Sequence, residues 1–444
     1  MAAPAPTAVA VIGYGSSART FHIPFVLSLP DVFHLHTIQQ RPESKSGPPA
    51  STQHPNVRIA PTLDSVFKGE SGDGHGALPP WSLVIITTAN ETHNEFALQA
   101  IKNGHHVIVE KPAALTVKEA VALKEASEAE GVICCAYQNR RLDNDFLTLR
   151  ALLHPPRNDP SQPSAIGQPT LVESRFDRYR PLAKGGWREE VGPEKGGGML
   201  WDLGAHLVDQ ALVLFGPPEK VTAFASSARG QLPENVDDDF LIHLHYPTTA
   251  PLPPDSEAPL PGTRIGGPRV TLGASCLSAH TDAEQPRWKV EGTRGSFLKT
   301  GTDPQENQLK AGWTPASHPE AFGIYAKDSP RALSSARLTT STAASLAAAV
   351  AAAASAGGAP KQPELASTDI PMLPGRYIDF YANVGNTIWA VEAVRESGGV
   401  DEIEKVKKER LLVKIDETVD VTKCILLARK SAAEERTVKW SEGV

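Results

Sequence analysis

Three residues of this chain are of types that move a proton to or from an alcohol, and each stands where a fold would present it. Lys111 follows the apolar run His106-Val107-Ile108-Val109 and Glu110, and Pro112 follows it. A lysine at the carboxyl edge of a central parallel strand points into the crevice where such sheets bind ligands. The proline fixes the backbone there and admits a cis bond. Asp202 and His206 lie in Gly196-Gly197-Gly198-Met199-Leu200-Trp201-Asp202-Leu203-Gly204-Ala205-His206-Leu207-Val208-Asp209-Gln210. On one helix this spacing puts them on one face. A carboxylate beside an imidazole suits proton transfer near neutral pH. A lone histidine is more often structural, but the carboxylate behind a run of glycines favours catalysis here. A metal site is disfavoured, because only Asp209 adds an obvious ligand and no second cluster completes a shell.

A second set suits a dinucleotide. In Val9-Ala10-Val11-Ile12-Gly13-Tyr14-Gly15-Ser16-Ser17-Ala18 a short strand runs into a glycine turn. Gly13 and Gly15 permit a tight turn and let backbone approach a pyrophosphate, whose charge the following helix N-terminus favours. Ala18 stands where the third glycine is often found. Specificity for the ribose belongs at the end of the next strand, Thr37-Ile38-Gln39-Gln40-Arg41. An NAD enzyme usually has a carboxylate there. None occurs before Glu43, and Arg41, with Lys45 beyond it, suits a 2′-phosphate, so NADP(H) is expected over NAD(H). The alternative is that Arg41 is merely a solvated residue. Thr88, Ala89 and Asn90 are small enough for a cofactor to lie across the sheet edge, with Glu110 nearby. His93, just inside a helix N-terminus, suits a structural role as well as a cofactor contact.

These residues need a sheet to position them. Apolar runs at Val9–Ile12, Leu83–Ile86, Val107–Val109 and Val132–Ala136 read as buried parallel strands, with Phe33–Gln39 as another. Helices alternate with them. One follows the glycine turn to about Leu29, kinked or broken at Pro24. Thr92 caps another, which Gly104 ends, and Thr116 with Glu119 forms a capping box for a third. This alternation predicts an α/β half, an N-terminal Rossmann doubly wound parallel sheet over residues 1–137.

Residues 138–444 read differently. Strands are expected at Leu171–Phe176, Val221–Ser226, Phe240–Tyr246, Val270–Ser278 and Trp288–Leu298, with fewer helices between. The reading is an α+β half: a large, mostly antiparallel sheet with helices on one face. Three segments look like insertions. His154–Pro169 and Pro247–Pro268 are proline-rich, and Ser334–Pro363 is an alanine/serine tract that suits either a helix or a loop. The sheet face without helices is expected to be too apolar for water. That predicts a homo-oligomer, most simply a face-to-face homodimer.

Bulk composition narrows the class. A chain of 444 residues, 40% hydrophobic and 21% charged, fits a globular protein of two domains. A net charge of −7 without a basic tract argues against nucleic acid. Four cysteines make no disulfide framework in a chain this long. The apolar start lacks the basic region of a signal peptide, and no run is long enough to span a membrane. A cytoplasmic enzyme is expected.

The glycine turn, Glu110-Lys111-Pro112, and Asp202 with His206 together resemble the Gfo/Idh/MocA oxidoreductases, over most of the chain. Finer segments resemble the NADP-linked scyllo-inositol dehydrogenase branch: Phe21-His22-Ile23-Pro24, Asn139-Arg140-Arg141-Leu142-Asp143-Asn144-Asp145-Phe146, Phe176-Asp177-Arg178-Tyr179-Arg180-Pro181, Trp187-Arg188 and Asp303-Pro304-Gln305-Glu306. The insertions depart from compact members. The resemblance implies alcohol–ketone interconversion on a cyclic polyol or sugar. His206 would take the hydroxyl proton, Asp202 would orient His206, and Lys111 would polarise the substrate oxygen. Asn139, Arg140, Arg178 and Arg188 would bind other hydroxyls. The same fold also serves non-catalytic dinucleotide sensors of the galactose-repressor type. Retention of Lys111, Asp202 and His206 argues against that alternative.

Overall fold

A computed structural model of the chain describes residues 4–44, 47–69, 76–154, 164–247, 266–342, 348–349, 351, 362–395 and 399–444. Lys45 and most of the three insertions lie outside these residues.

The first sheet is wholly parallel, in the order β3-β2-β1-β4-β5-β6. Its strands are β1 (Thr7–Ile12), β2 (Phe33–Gln39), β3 (Arg58–Ala60), β4 (Leu83–Ile86), β5 (His106–Val109) and β6 (Cys134–Ala136). The runs are continuously apolar because both faces are covered. Val9, Val11, Ile85 and Ile108 face one core, whereas Ala10, Ile12, Val84, Ile86 and Val107 face another. The three-residue β3 was not legible as a strand. After the glycine turn the chain forms one π-helical turn, Ala18–His22, and then α1 (Ile23–Ser28). Pro24 sits in the first turn of α1, where a missing N–H costs little, so the proline splits the expected helix in two. Thr92 does not cap α2 (His93–Lys102). Its hydroxyl donates back to the Ala89 carbonyl at 2.7 Å. The capping box of α3 (Val117–Ala129) does form, through reciprocal Thr116–Glu119 bonds of 3.1 Å each.

The second sheet has the order β14-β13-β12-β11-β7-β10-β9-β8-β15. Its strands are β7 (Pro169–Arg175), β8 (Lys220–Ser226), β9 (Asp239–His245), β10 (Arg269–Ser275), β11 (Pro286–Gly292), β12 (Gly295–Thr300), β13 (Ser335–Ser341), β14 (Leu365–Pro371) and β15 (Val438–Lys439). Only β7 and β10 pair parallel. The strand expected over Trp288–Leu298 is a hairpin, β11 and β12, turning at Thr293-Arg294 between two glycines. Part of the alanine/serine tract is β13, and β14 follows the tract. Between them, α4 (Met199–Asp202), α5 (Gly204–Phe215) and α7 (Ile415–Glu434) flank one face, with α5 against β10 and α7 against β8. A further helix, α6 (Tyr377–Arg395), returns to the first sheet. Its Phe380, Tyr381, Val384 and Ile388 share a core with Val9 and Phe25. The first core therefore also takes in chain from beyond residue 138.

The open face of the second sheet corrects an expectation. It carries Glu173 opposite Lys289, the Lys289–Glu291 and Arg337–Asp369 pairs, and His243 against Thr271. Phe224, Leu298 and Leu365 are the apolar side chains most exposed there. Polar cross-strand pairs are compatible with water, so the argument from an apolar face to a dimer lapses.

Candidate active site

The first wall of the site is the crevice at the carboxyl ends of β1, β2, β4 and β5. Gly13 turns the chain at φ +89°, and a Cβ there would lie 3.1 Å from Thr88 Cγ2, so only glycine fits without strain. Gly15 faces open space, a cradle that any side chain would fill. Tyr14 is buried edge-on to His54 with the Arg19 guanidinium over its ring, leaving its backbone at the turn. Ser16 and Ala89 are exposed beside it. The Thr88 and Thr92 hydroxyls meet at 2.7 Å. Asn90 donates to the Gly196 carbonyl at 3.1 Å and ties this wall to the second. The turn, its open glycine and the helical turn behind it fit a dinucleotide pyrophosphate.

Other expected cofactor residues are engaged within the protein. His93 is buried, with Nδ1 on the Pro112 carbonyl at 2.8 Å and Nε2 on the Thr88 carbonyl at 3.1 Å. Both nitrogens thus lie against backbone carbonyls, and the neutral ring donates to one of them. Glu110 accepts the Ser17 hydroxyl, His22 Nε2 at 2.9 Å and the Lys111 backbone N–H at 3.0 Å. Burial opposes its charge, but the His22 bond, the neighbouring Lys111 and the Ser17 bond hold its carboxyl down at about 2. Behind it, the Tyr381 hydroxyl donates to His22 Nδ1 at 2.6 Å. Glu110 therefore positions the turn and Lys111 instead of gripping the cofactor. Gln39 and Gln40 bind backbone of neighbouring loops, and Arg41 projects into solvent, 3.6 Å from Glu43.

The second wall meets the first at Lys111, which the cis peptide to Pro112 follows. Lys111 Nζ donates to Asp202 Oδ1 and to the Asp202 carbonyl, each at 2.7 Å. Arg188 Nε approaches the same carboxylate oxygen at 3.0 Å. Burial opposes the charge of Asp202, but Lys111 and Arg188 hold its carboxyl far below the usual range. Asp202 and His206 are not the expected hydrogen-bonded pair. One helix ends at Asp202 and another starts at Gly204, so the four-residue spacing spans a junction. His206 is buried and its Nδ1 has no partner. Burial pushes its imidazole well below the ordinary value; Lys111 and Arg140 push it further, against the pull of Asp202. The ring is thus neutral near pH 7 and able to accept a proton.

The remaining expected residues divide. Asn139 is buried, and Gln210 Nε2 donates to the Arg140 carbonyl at 2.7 Å. The Arg140 guanidinium grips Glu306 and lies 4.7 Å from the Phe176 ring centre. Arg178 is half-buried near Asp202 and Glu306. Asp209 is taken by Arg141 at 2.6 and 2.8 Å, and no cluster of metal-ligating side chains occurs among the described residues. Sequence reasoning assigned no role to His22 or Tyr381. His22 carried a signal, a histidine before an apolar turn. Tyr381 carried none, since 359 residues separate it from His22.

Comparison with known proteins identifies the family of the chain. Residues 7–138 match an oxidoreductase family with an NAD-binding Rossmann fold, and residues 162–298 match the GFO/IDH/MocA C-terminal domain. An uncharacterized oxidoreductase of Schizosaccharomyces pombe, C115.03, is 32% identical over 98% of this chain and 99% of its own. The scyllo-inositol 2-dehydrogenase (NADP(+)) IolW of Bacillus subtilis is 28% identical over 97% of this chain and 95% of its own. The solved structure of yvaA from Bacillus subtilis matches with a TM-score of 0.72 at 26% identity, covering 98% of each chain. The chain belongs to the GFO/IDH/MocA oxidoreductase family and is a dehydrogenase or reductase of that family.

Proposed function

We propose that the chain is an NADP(H)-dependent oxidoreductase that interconverts a secondary alcohol of a cyclic polyol or sugar with its ketone. The observation that carries this reading is Lys111, held by Asp202 at the edge of β5, with the buried His206 on the facing wall. Bound nicotinamide supplies the hydride acceptor or donor. His206 Nε2 takes the hydroxyl proton in oxidation and returns it in reduction. Two of the three N–H bonds of Lys111 go to Asp202, and the third is left for the substrate oxygen. There it offsets charge that develops as the proton leaves. Asp202 fixes the lysine and tempers the histidine from a distance.

The NADP preference rests on Arg41 and on the missing carboxylate at the end of β2, and IolW, an NADP-linked relative, supports it. A cytoplasmic setting is supported by four buried cysteines, all unpaired. No helix among the described residues is long and apolar enough to cross a membrane. The test is a panel of cyclic polyols and aldoses, each assayed with NADP⁺ and NAD⁺ by nicotinamide absorbance. Turnover of at least one polyol or sugar, faster with NADP⁺, is expected. A panel without hydride transfer on any alcohol overturns the reading.

A further inference from the structure

Three cations stand around one carboxylate. Lys111 and Arg188 both take Asp202 Oδ1, at 2.7 and 3.0 Å. Arg178 is close enough for its charge to bear on Asp202, yet it forms no ion pair with it. Its backbone is anchored on both sides, its N–H donating to Ser275 and its carbonyl accepting from Ser278, at 2.9 and 3.1 Å. Its half-buried guanidinium has no carboxylate within ion-pair distance among the described residues.

Among the described residues the half-buried Arg180 is likewise outside any ion pair, whereas three other arginines of this half are held by acids. Arg141 has Asp209, Arg229 has Asp238 and Glu189, and Arg287 has Asp145. The other acid near Arg178 is Glu306, which Arg140 and Lys310 already hold. Two residues on, Arg180 adds a further positive charge. A cation removed from water without a partner is costly, and a crevice with surplus positive charge attracts anions. Neutral hydroxyls would leave that charge uncompensated. A planar guanidinium instead matches the two oxygens of a carboxylate or phosphate.

We infer that the substrate carries an oxyanion, a carboxylate or phosphate on the sugar or polyol, and that Arg178 receives it beside the reacting alcohol. The idea rests on the reading of this crevice as the alcohol site. Asp202 keeps the anion from Lys111 by holding the lysine itself, so the two cations have separate tasks.

The experiment measures binding by calorimetry to the NADP⁺-loaded enzyme, and turnover in parallel. The probes are glucuronate, glucose 6-phosphate, glucose and myo-inositol. At least one anion should bind about tenfold or more tightly than glucose, and less so as salt rises. Arg178→Gln should abolish that margin, and Arg178→Lys should keep part of it, with NADP⁺ affinity unchanged in both. The wild-type comparison and its salt dependence stand even if a variant fails to fold. Glucuronate winning identifies a carboxylate, glucose 6-phosphate a phosphate. Neutral sugars binding as well as both anions overturns the inference, as does an Arg178→Gln variant that keeps the margin. Turnover of a neutral polyol without anion preference leaves the proposed function standing and removes only the inference. Arg178-dependent anion binding without hydride transfer on any probe does the reverse.

Discussion

The two walls of the crevice are both polar, but their polar groups are in opposite conditions. On the dinucleotide wall nearly every group has a partner. Glu110 has Ser17, His22 and a backbone N–H, and His93 has two carbonyls. On the facing wall His206 Nδ1 is buried without a partner and Arg178 has no carboxylate among the described residues. A saturated wall is rigid and preorganised, suited to holding one cofactor in one pose. An unpaired cation in a crevice marks where a ligand is still to come, and the proposed proton acceptor on His206 is its other nitrogen, Nε2. On the proposed function the difference fits a scaffold on one wall and chemistry on the other.

The harshest way to break that contrast is His206→Ala. A general base typically supplies about 10²–10⁴-fold, so kcat should fall by that order. NADPH binding, followed by nicotinamide fluorescence, should stay near wild type, because the proposed role of the histidine is toward the substrate. Matched losses in kcat and in cofactor affinity would put His206 on the wrong wall.

The saturated wall makes a prediction about pH. Glu110 has a folded-state value of about 2 against an ordinary 4.5. Its folded value is depressed, so the stability it contributes is complete above 4.5 and is lost as pH falls toward 2. The gap is worth roughly 3 kcal/mol. Urea unfolding of wild type and Glu110→Gln should show the wild-type advantage shrinking by about that amount between pH 5 and 2. An advantage that does not change across this interval would mean that Glu110 is not held as an anion by its partners.

The same contrast explains what could be read in the sequence. Parallel strands buried on both faces are continuous apolar runs, and the Thr116–Glu119 box is local, so both were legible. Lys111 was legible because strand ends in such sheets face the crevice. Asp202 with His206 was half legible. Their spacing across two consecutive helices was readable, but Asp202 turns to a lysine 91 residues away, which it does not reveal. Tyr381 and the return of α6 to the first core depend on tertiary packing alone. The edge strands β13 and β14 were hidden because low-complexity composition masks alternation.

Arg41 is the exception on the saturated wall and gives the smallest predicted effect. Its guanidinium is 73% exposed and only loosely paired with Glu43 at 3.6 Å. Exposed pairs of this kind contribute little to stability, so Arg41→Ala should leave the unfolding midpoint almost unchanged. If the charge serves a 2′-phosphate, the substitution should weaken NADP⁺ binding about tenfold or somewhat more, since a charge-assisted contact is worth roughly 1.5–3 kcal/mol and solvent screens part of it. NAD⁺ has no 2′-phosphate, so its affinity should hardly move. Titrating both cofactors into both proteins measures the two effects independently. Equal changes for NADP⁺ and NAD⁺ would remove the basis for the cofactor preference and return Arg41 to the solvated surface, while leaving the pyrophosphate turn at Gly13 and Gly15 untouched.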